Sequence, residues 1–151
     1  MNSDFIDLIS LFKKHQVRYL IAGGYAVMYY SEPRYTKDLD VVVGSGVGEV
    51  QRVADALAEF GFPMTEAQIA ELAEPNQMIV IGRPPHRIDI LNELTGVNFD
   101  EAWQRRKLVN VNDQEIFFLS LDDLISAKRA AGRPQDKLDL KKLAAASKRR
   151  K

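Results

Sequence analysis

The sequence predicts an α+β domain, a mixed β-sheet with helices packed on it. Three observations carry that prediction. Several segments repeat apolar residues at helical spacing, as in residues 3–16 and 47–60. Short β-branched or apolar runs lie between them: "RYLIA" at 18–22, "DLDVVV" at 38–43 and "RIDIL" at 87–91. The two kinds of segment are interleaved along 151 residues, which is enough for one core.

In chain order, residues 3–16 read as an amphipathic helix built on Phe5, Ile6, Leu8, Ile9 and Phe12, with Ser3 or Asp4 as its cap. A strand follows at 18–22. Gly23-Gly24 breaks it, "YAVMYYS" starts a short helix, and Glu32-Pro33 ends that helix. A strand is expected at 37–43, and "GSGVG" reads as a plain connection. Val50, Val53, Leu57 and Phe60 share one face of a helix over 47–60, with Gly61 as the C-cap. A weaker helix spans 65–73, capped by Thr65. Strands are expected at 78–81 and 87–91, and a helix at 98–106 around Phe99 and Trp103. Short strands at 109–111 and 115–119 flank "NDQ" as a hairpin. Ser120 with Asp123 fits a capping box opening a helix over 121–131. Gly132 stops that helix, and Pro134 opens the last one. Neither an internal repeat nor a linker interrupts the chain. The expected organisation is a single domain over 1–147 and a basic disordered tail at 148–151.

Composition excludes several chemistries. Cysteine is absent, which removes disulfides and thiolate–metal sites. With only His15 and His86, a metal site must be hard and oxygen-ligated. The N-terminus "MNSDFIDLIS" has no basic n-region, and no apolar run approaches the roughly 20 residues of a membrane span. A cytoplasmic location without membrane contact is the expectation. Net charge is zero but uneven: from Lys128 onward ten basic residues face two acids, so this end is near +8 and the rest near −8. Such an end can meet phosphates or nucleic acid, and a solvated helix with a frayed "SKRRK" is the simpler expectation.

The candidate chemistry lies where acids interrupt apolar strands. Alternation puts Asp38 and Asp40 on one face, about 6.6 Å apart along the backbone. Two bare carboxylates at such a distance repel by roughly 2 kcal/mol at an effective dielectric near 20. A divalent cation removes that cost, whereas a wet edge strand would merely solvate them. "RIDIL" repeats the pattern: Asp89 shares a face with Arg87 and opposes Ile88 and Ile90. Taken alone, Arg87–Asp89 reads as a surface ion pair. If this strand lies beside 37–43, three carboxylates converge, a set suited to two Mg²⁺ ions. "AGGYA" at 22–26 adds bare backbone N–H groups at a helix start, where anions bind.

The order of "GGYA" at 23–26, "RYTKDLDVVV" at 34–43 and "RIDIL" at 87–91 resembles the nucleotidyltransferase superfamily, with its polymerase-beta-like fold. The small bacterial members are the most similar: minimal and toxin-type or abortive-infection enzymes, and lincosamide and aminoglycoside nucleotidyltransferases. The stretch "LDDLISAKRAAGRPQDKLDLKKL" at 121–143 also resembles the end of that group. The resemblance implies transfer of a nucleoside monophosphate from an NTP to an acceptor hydroxyl, with release of pyrophosphate and two Mg²⁺ ions (Mn²⁺ as a substitute). It implies that Asp38 and Asp40 hold both metals. Asp89 would be the third ligand and would orient or deprotonate the acceptor hydroxyl. The backbone of Gly23 and Gly24 would grip the triphosphate. Thr36 would shape the site, and Arg34, Lys37, Arg87 and Lys128 would be phosphate contacts. One departure is Tyr25, which stands where many relatives carry a serine.

The other residues have plainer expectations. Lys128 borders the apolar face of its helix and is expected to send its ammonium to solvent. Asp136 and Asp139 should pair with nearby Arg or Lys, His86 should be structural, and Trp103 should belong to the core. The rival functions are a non-catalytic antitoxin or regulatory module on the same fold, a nucleic-acid binder using the basic end, and a D-x-D glycosyltransferase. The acceptor is open: RNA, a protein hydroxyl or a small molecule. A homodimer or a partner chain could supply its pocket.

Overall fold

The computed structural model describes residues 1–33, 36 and 38–150, with side chains through 148. Two candidate phosphate contacts, Arg34 and Lys37, lie outside the described residues.

Helix α1 (Ser3–Lys14) is capped by Asn2, whose side chain accepts from the Phe5 N–H at 3.0 Å. The cap therefore falls one residue before those expected. Phe5, Leu8, Ile9 and Phe12 are its buried stripe. Strand β1 (Tyr19–Ala22) runs straight into α2 (Gly23–Tyr30), which begins on the glycine pair itself. Strand β2 (Asp38–Val43) is followed by α3 (Val47–Phe60), stopped by Gly61 at φ 100°. Thr65 and Gln68 close a reciprocal capping box on α4 (Glu66–Leu72). Strands β3 (Met78–Ile81) and β4 (Arg87–Leu91) keep their expected bounds.

After α5 (Phe99–Gln104), β5 (Lys107–Val111) and β6 (Gln114–Phe118) form a hairpin longer than expected. Its turn is only Asn112-Asp113, at φ 51° and 64°, a two-residue loop whose positive φ values match strand twist. The extra strand residues are polar or exposed, so hydrophobic alternation did not mark them. Ser120 caps α6 (Leu121–Ala131) by accepting from the Asp123 N–H. The Asp123 carboxylate does not return to the cap backbone; it takes the Ser120 hydroxyl and the Arg105 fork. Helix α7 (Pro134–Arg150) starts at the expected proline and includes most of the segment expected as a tail.

The sheet order is β3-β4-β2-β1-β6-β5. Strand β2 is antiparallel to β1 and parallel to β4, so the sheet is mixed, as expected. Alternation divides its central strands into two faces. Leu39, Val41, Val43, Ile88 and Ile90 point into the core and are at most 1% exposed. Helix α1 covers that face, with Phe12 against Tyr19 at 5.6 Å. Burying these side chains supplies about 1.5–3 kcal/mol each, which fixes the strand register and so aims the opposite face. Among the described residues, no helix is long and apolar enough to cross a membrane.

Candidate active site

The opposite face carries the acids. In the parallel β2–β4 pair, Asp40 is the register partner of Asp89, and Asp38 is the partner of Arg87. Paired residues on adjacent strands project to the same side, so the three aspartates share one face of the sheet. Ala22, the last residue of β1, sits opposite Asp40 on its other flank. Asp40 therefore lies between Asp89 and the start of α2.

Gly23 makes this close approach possible. Its φ of +61° is a left-handed conformation, and a Cβ there would overlap the Asp40 carboxylate. Gly24 is buried in the first turn of α2. Thr36 donates from Oγ1 to the Asp38 carbonyl at 3.3 Å, a local brace at the entry to β2.

Charge crowding is visible in Asp40. Its carboxyl is pushed up to about 6, first by burial, then by the charges of Asp89 and Asp38 and by a side-chain hydrogen bond to Asp89; Lys128 opposes the shift. Asp89 is 7% exposed, and the Arg87 fork reaches both its oxygens, Nε to Oδ1 at 2.8 Å and Nη2 to Oδ2 at 3.2 Å. Both expectations for Asp89 therefore hold together: it pairs with Arg87, and it sits beside Asp40. Asp38 Oδ1 is buried and, among the described residues, has no hydrogen-bond partner. An orphaned carboxylate oxygen beside two further carboxylates has the donor chemistry of a hard-cation site. The three are not gathered round one point: among the described residues, no group of three or more His, Cys, Asp or Glu is arranged to hold an ion.

Lys128 departs from its expectation. It is 8% exposed, and its Nζ lies 3.3 Å from Asp136 and 3.1 Å from Asp139. Two acids from α7 compensate it, so it does not need to reach water. Asp136 and Asp139 pair with basic residues, as expected. Asp136 also takes the Arg133 fork, at 2.7 and 3.2 Å, and that guanidinium holds its carboxyl down at about 2. The network matters to the site because a cleft of about 630 Å³ over the acidic face is lined by Gly23, Asp40, Asp89, Lys128 and Arg133.

Along the cleft, Lys128 and Arg133 come from α6 and the turn into α7, whereas Met78 and Leu91 come from β3 and β4. Met78 and Val80 are 49% and 47% exposed, and Val80 is the register partner of Asp89. Sequence reasoning missed Arg133 and Asn92. Buried Asn92 donates to the Leu72 and Glu74 carbonyls and accepts from the Gln77 N–H, which pins the loop ahead of Met78. Asn92 had no signal, because its side-chain partners lie 15 to 20 residues away, whereas Arg133 meets Asp136 three residues on, a helix-start contact that spacing could have suggested. His86 is an exposed partner of Asp4 at 2.9 Å, away from the acids. Trp103 packs on the core with Arg106 over its ring at 4.0 Å.

A mixed sheet that aligns a D-x-D strand with a second Asp-bearing strand, beside a strand–Gly-Gly–helix turn, is the nucleotidyltransferase fold. The chain belongs to the family described as "Nucleotidyltransferase of unknown function (DUF6036)", which it matches over residues 4–148. Solved structures share the fold. The lincomycin-bound lincosamide antibiotic adenylyltransferase LnuA is 16% identical, covers 97% of this chain and 98% of its own, and has a TM-score of 0.58. The antibiotic-resistance factor ANT(2'')-Ia is 9% identical over 95% of this chain and 82% of its own, with a TM-score of 0.61. An antigenic nucleotidyltransferase-like protein from Paracoccidioides brasiliensis is 15% identical over 95% and 74%, with a TM-score of 0.50. No curated protein matches the sequence significantly.

Proposed function

We propose that the chain transfers a nucleoside monophosphate from an NTP to an acceptor hydroxyl and releases pyrophosphate. The observation that carries this reading is the Asp40–Asp89 register pair beside the orphaned Asp38 Oδ1. Asp38, Asp40 and Asp89 would hold divalent cations, Mg²⁺ by their hard oxygen chemistry and Mn²⁺ as a substitute. When bound, the cations neutralise the carboxylates and phosphates and polarise the reacting phosphorus.

The chain's own groups do the positioning. Lys128 and Arg133 would contact the triphosphate, and Gly23, which lines the same cleft, would with Gly24 offer it backbone N–H groups at the start of α2. Arg87 lines the same cleft and would join them; Thr36 braces the entry to β2, and Arg34 and Lys37 remain candidates from the sequence. The acceptor enters over β3, against Met78 and Leu91. Asp89 orients its hydroxyl and takes the proton as the oxygen–phosphorus bond forms and the bond to pyrophosphate breaks. Catalysis then rests on orientation and charge stabilisation.

The test is incubation of the full chain with Mg²⁺, labelled NTPs and a panel of RNAs, proteins and antibiotics, alongside calorimetry of Mg²⁺·NTP. Transfer to one acceptor class supports the reading and identifies the acceptor. Absence of both transfer and Mg²⁺·NTP binding overturns it. Binding without turnover assigns the chain to the regulatory or antitoxin class instead.

A further inference from the structure

One guanidinium stands among three carboxylates. Arg87 faces Asp38 by register, and its fork occupies both oxygens of Asp89. Asp89 in turn touches Asp40, and the charges of Asp38 and Asp40 also act on Arg87. Bidentate fork pairing is the strong form of a charge-assisted hydrogen bond, so anything that ligates Asp89 must first displace it. The Arg87 side chain is nevertheless 35% exposed and can turn into the cleft that it lines.

We propose that Arg87 is a positioning residue that competes with cations for Asp89 and couples cation loading to polyphosphate binding. The proposal rests on the nucleotidyl-transfer reading. A lone divalent cation that captures Asp89 strands the guanidinium beside a like charge. A cation that arrives with a polyphosphate supplies the anion to which the guanidinium can move. Phosphate, like carboxylate, offers two oxygens to the planar Arg fork, so the fork is exchanged with little loss. Each ligand then favours the other, which is positive coupling through one side chain. The empty, polyphosphate-free site is thereby kept from loading metal and exposing an activated acceptor position. Arg133 is a useful contrast: it is a second guanidinium on the cleft wall, but its fork closes on Asp136.

The test titrates the full chain with Mn²⁺ and reads free Mn²⁺ by electron paramagnetic resonance, for wild type, Arg87→Gln, Arg87→Lys and Arg133→Gln. Arg87→Gln should bind Mn²⁺ alone about tenfold more tightly than wild type, because the competing fork is gone. Arg133→Gln removes the same charge without freeing Asp89 and should change Mn²⁺ affinity by less than about threefold. Arg87→Lys keeps the charge without the fork and should fall between wild type and Arg87→Gln, which preserves the test if the glutamine variant unfolds. Tripolyphosphate is the second probe. In EDTA, Arg87→Gln and wild type should bind it alike, because the wild-type fork is engaged on Asp89. With Mn²⁺ present, Arg87→Gln should bind it about tenfold more weakly than wild type. The proposal is overturned if neither Arg87 variant gains Mn²⁺ affinity, if Arg133→Gln gains as much, or if tripolyphosphate affinity already drops in EDTA. Those outcomes leave nucleotidyl transfer standing, whereas failure of every form to bind Mn²⁺·tripolyphosphate overturns both readings.

Discussion

Asp40→Asn separates a ligand-binding acid from a structural one. Burial and the neighbouring carboxylates push the Asp40 carboxyl up to about 6, against an ordinary value of 3.8. The folded state therefore binds the Asp40 proton more tightly than the unfolded state does. Its favourable contribution is complete below about pH 3.8 and is lost as pH rises through about 6. At pH 7.5 the ionised side chain thus costs the metal-free protein up to about 3 kcal/mol relative to a neutral one, from a little over two pH units at about 1.4 kcal/mol each. Asparagine is neutral and nearly the same shape, and its amide can donate to Asp89. The variant should be about 1–3 kcal/mol more stable in EDTA at pH 7.5, a rise of about 3–10 °C in melting temperature for a domain of this size. The gap should close as pH falls toward 4. Mg²⁺ with NTP should raise the wild-type melting temperature and leave that of the variant unchanged. Thermal melts in EDTA at both pH values, repeated with Mg²⁺·NTP, are the assay. An Asp40→Asn protein that melts lower than wild type in EDTA at pH 7.5 would refute the reasoning, because Asp40 would then be a structural partner of Lys128.

Three further outcomes follow from the same geometry. Gly23→Ala forces a side chain into positive φ and into the Asp40 carboxylate; a loss of about 1–3 kcal/mol on urea unfolding is expected, together with loss of transfer. Lys128→Met leaves Asp136 and Asp139 facing each other without their buried cation, and should cost about 3–5 kcal/mol by the same measurement. Asp136 is held down at about 2, so it stabilises the fold above pH 3.8 and loses that contribution as pH falls through 2; Asp136→Asn should flatten the acid limb of a melting-temperature profile between pH 4 and 2.

Local pattern made much of the site legible. Asp38, Asp40 and Asp89 stood out because each interrupts a run that would otherwise be buried, and strand alternation put the first two on one face without reference to any contact. Glycine and proline punctuation placed the ends of α3, α6 and α7. Lys128 was misjudged for a physical reason. A lysine at the border of an apolar helical stripe has solvent as its default, and only acids on the next helix make burial affordable. Asn92 gave no pattern, because its three partners belong to the end of α4 and the loop that leads to β3.

By itself, then, the sequence determined which strands exist, which face of each is polar, and that the polar faces carry carboxylates. These are consequences of spacing within one segment. Tertiary structure decided the pairing. The parallel register of β2 and β4 set Asp40 against Asp89 and Arg87 against Asp38, and a slip of one residue would have turned Asp89 into the core. It also decided what lets Lys128 stay buried, with Asp136 and Asp139 of α7 closing on its Nζ, and, among the described residues, it left Asp38 Oδ1 without a hydrogen-bond partner. Arg87–Asp89 and Arg133–Asp136 each lie within one segment and are legible in spacing, whereas pairing between helices and between strands depends on distances that no periodicity within a segment encodes.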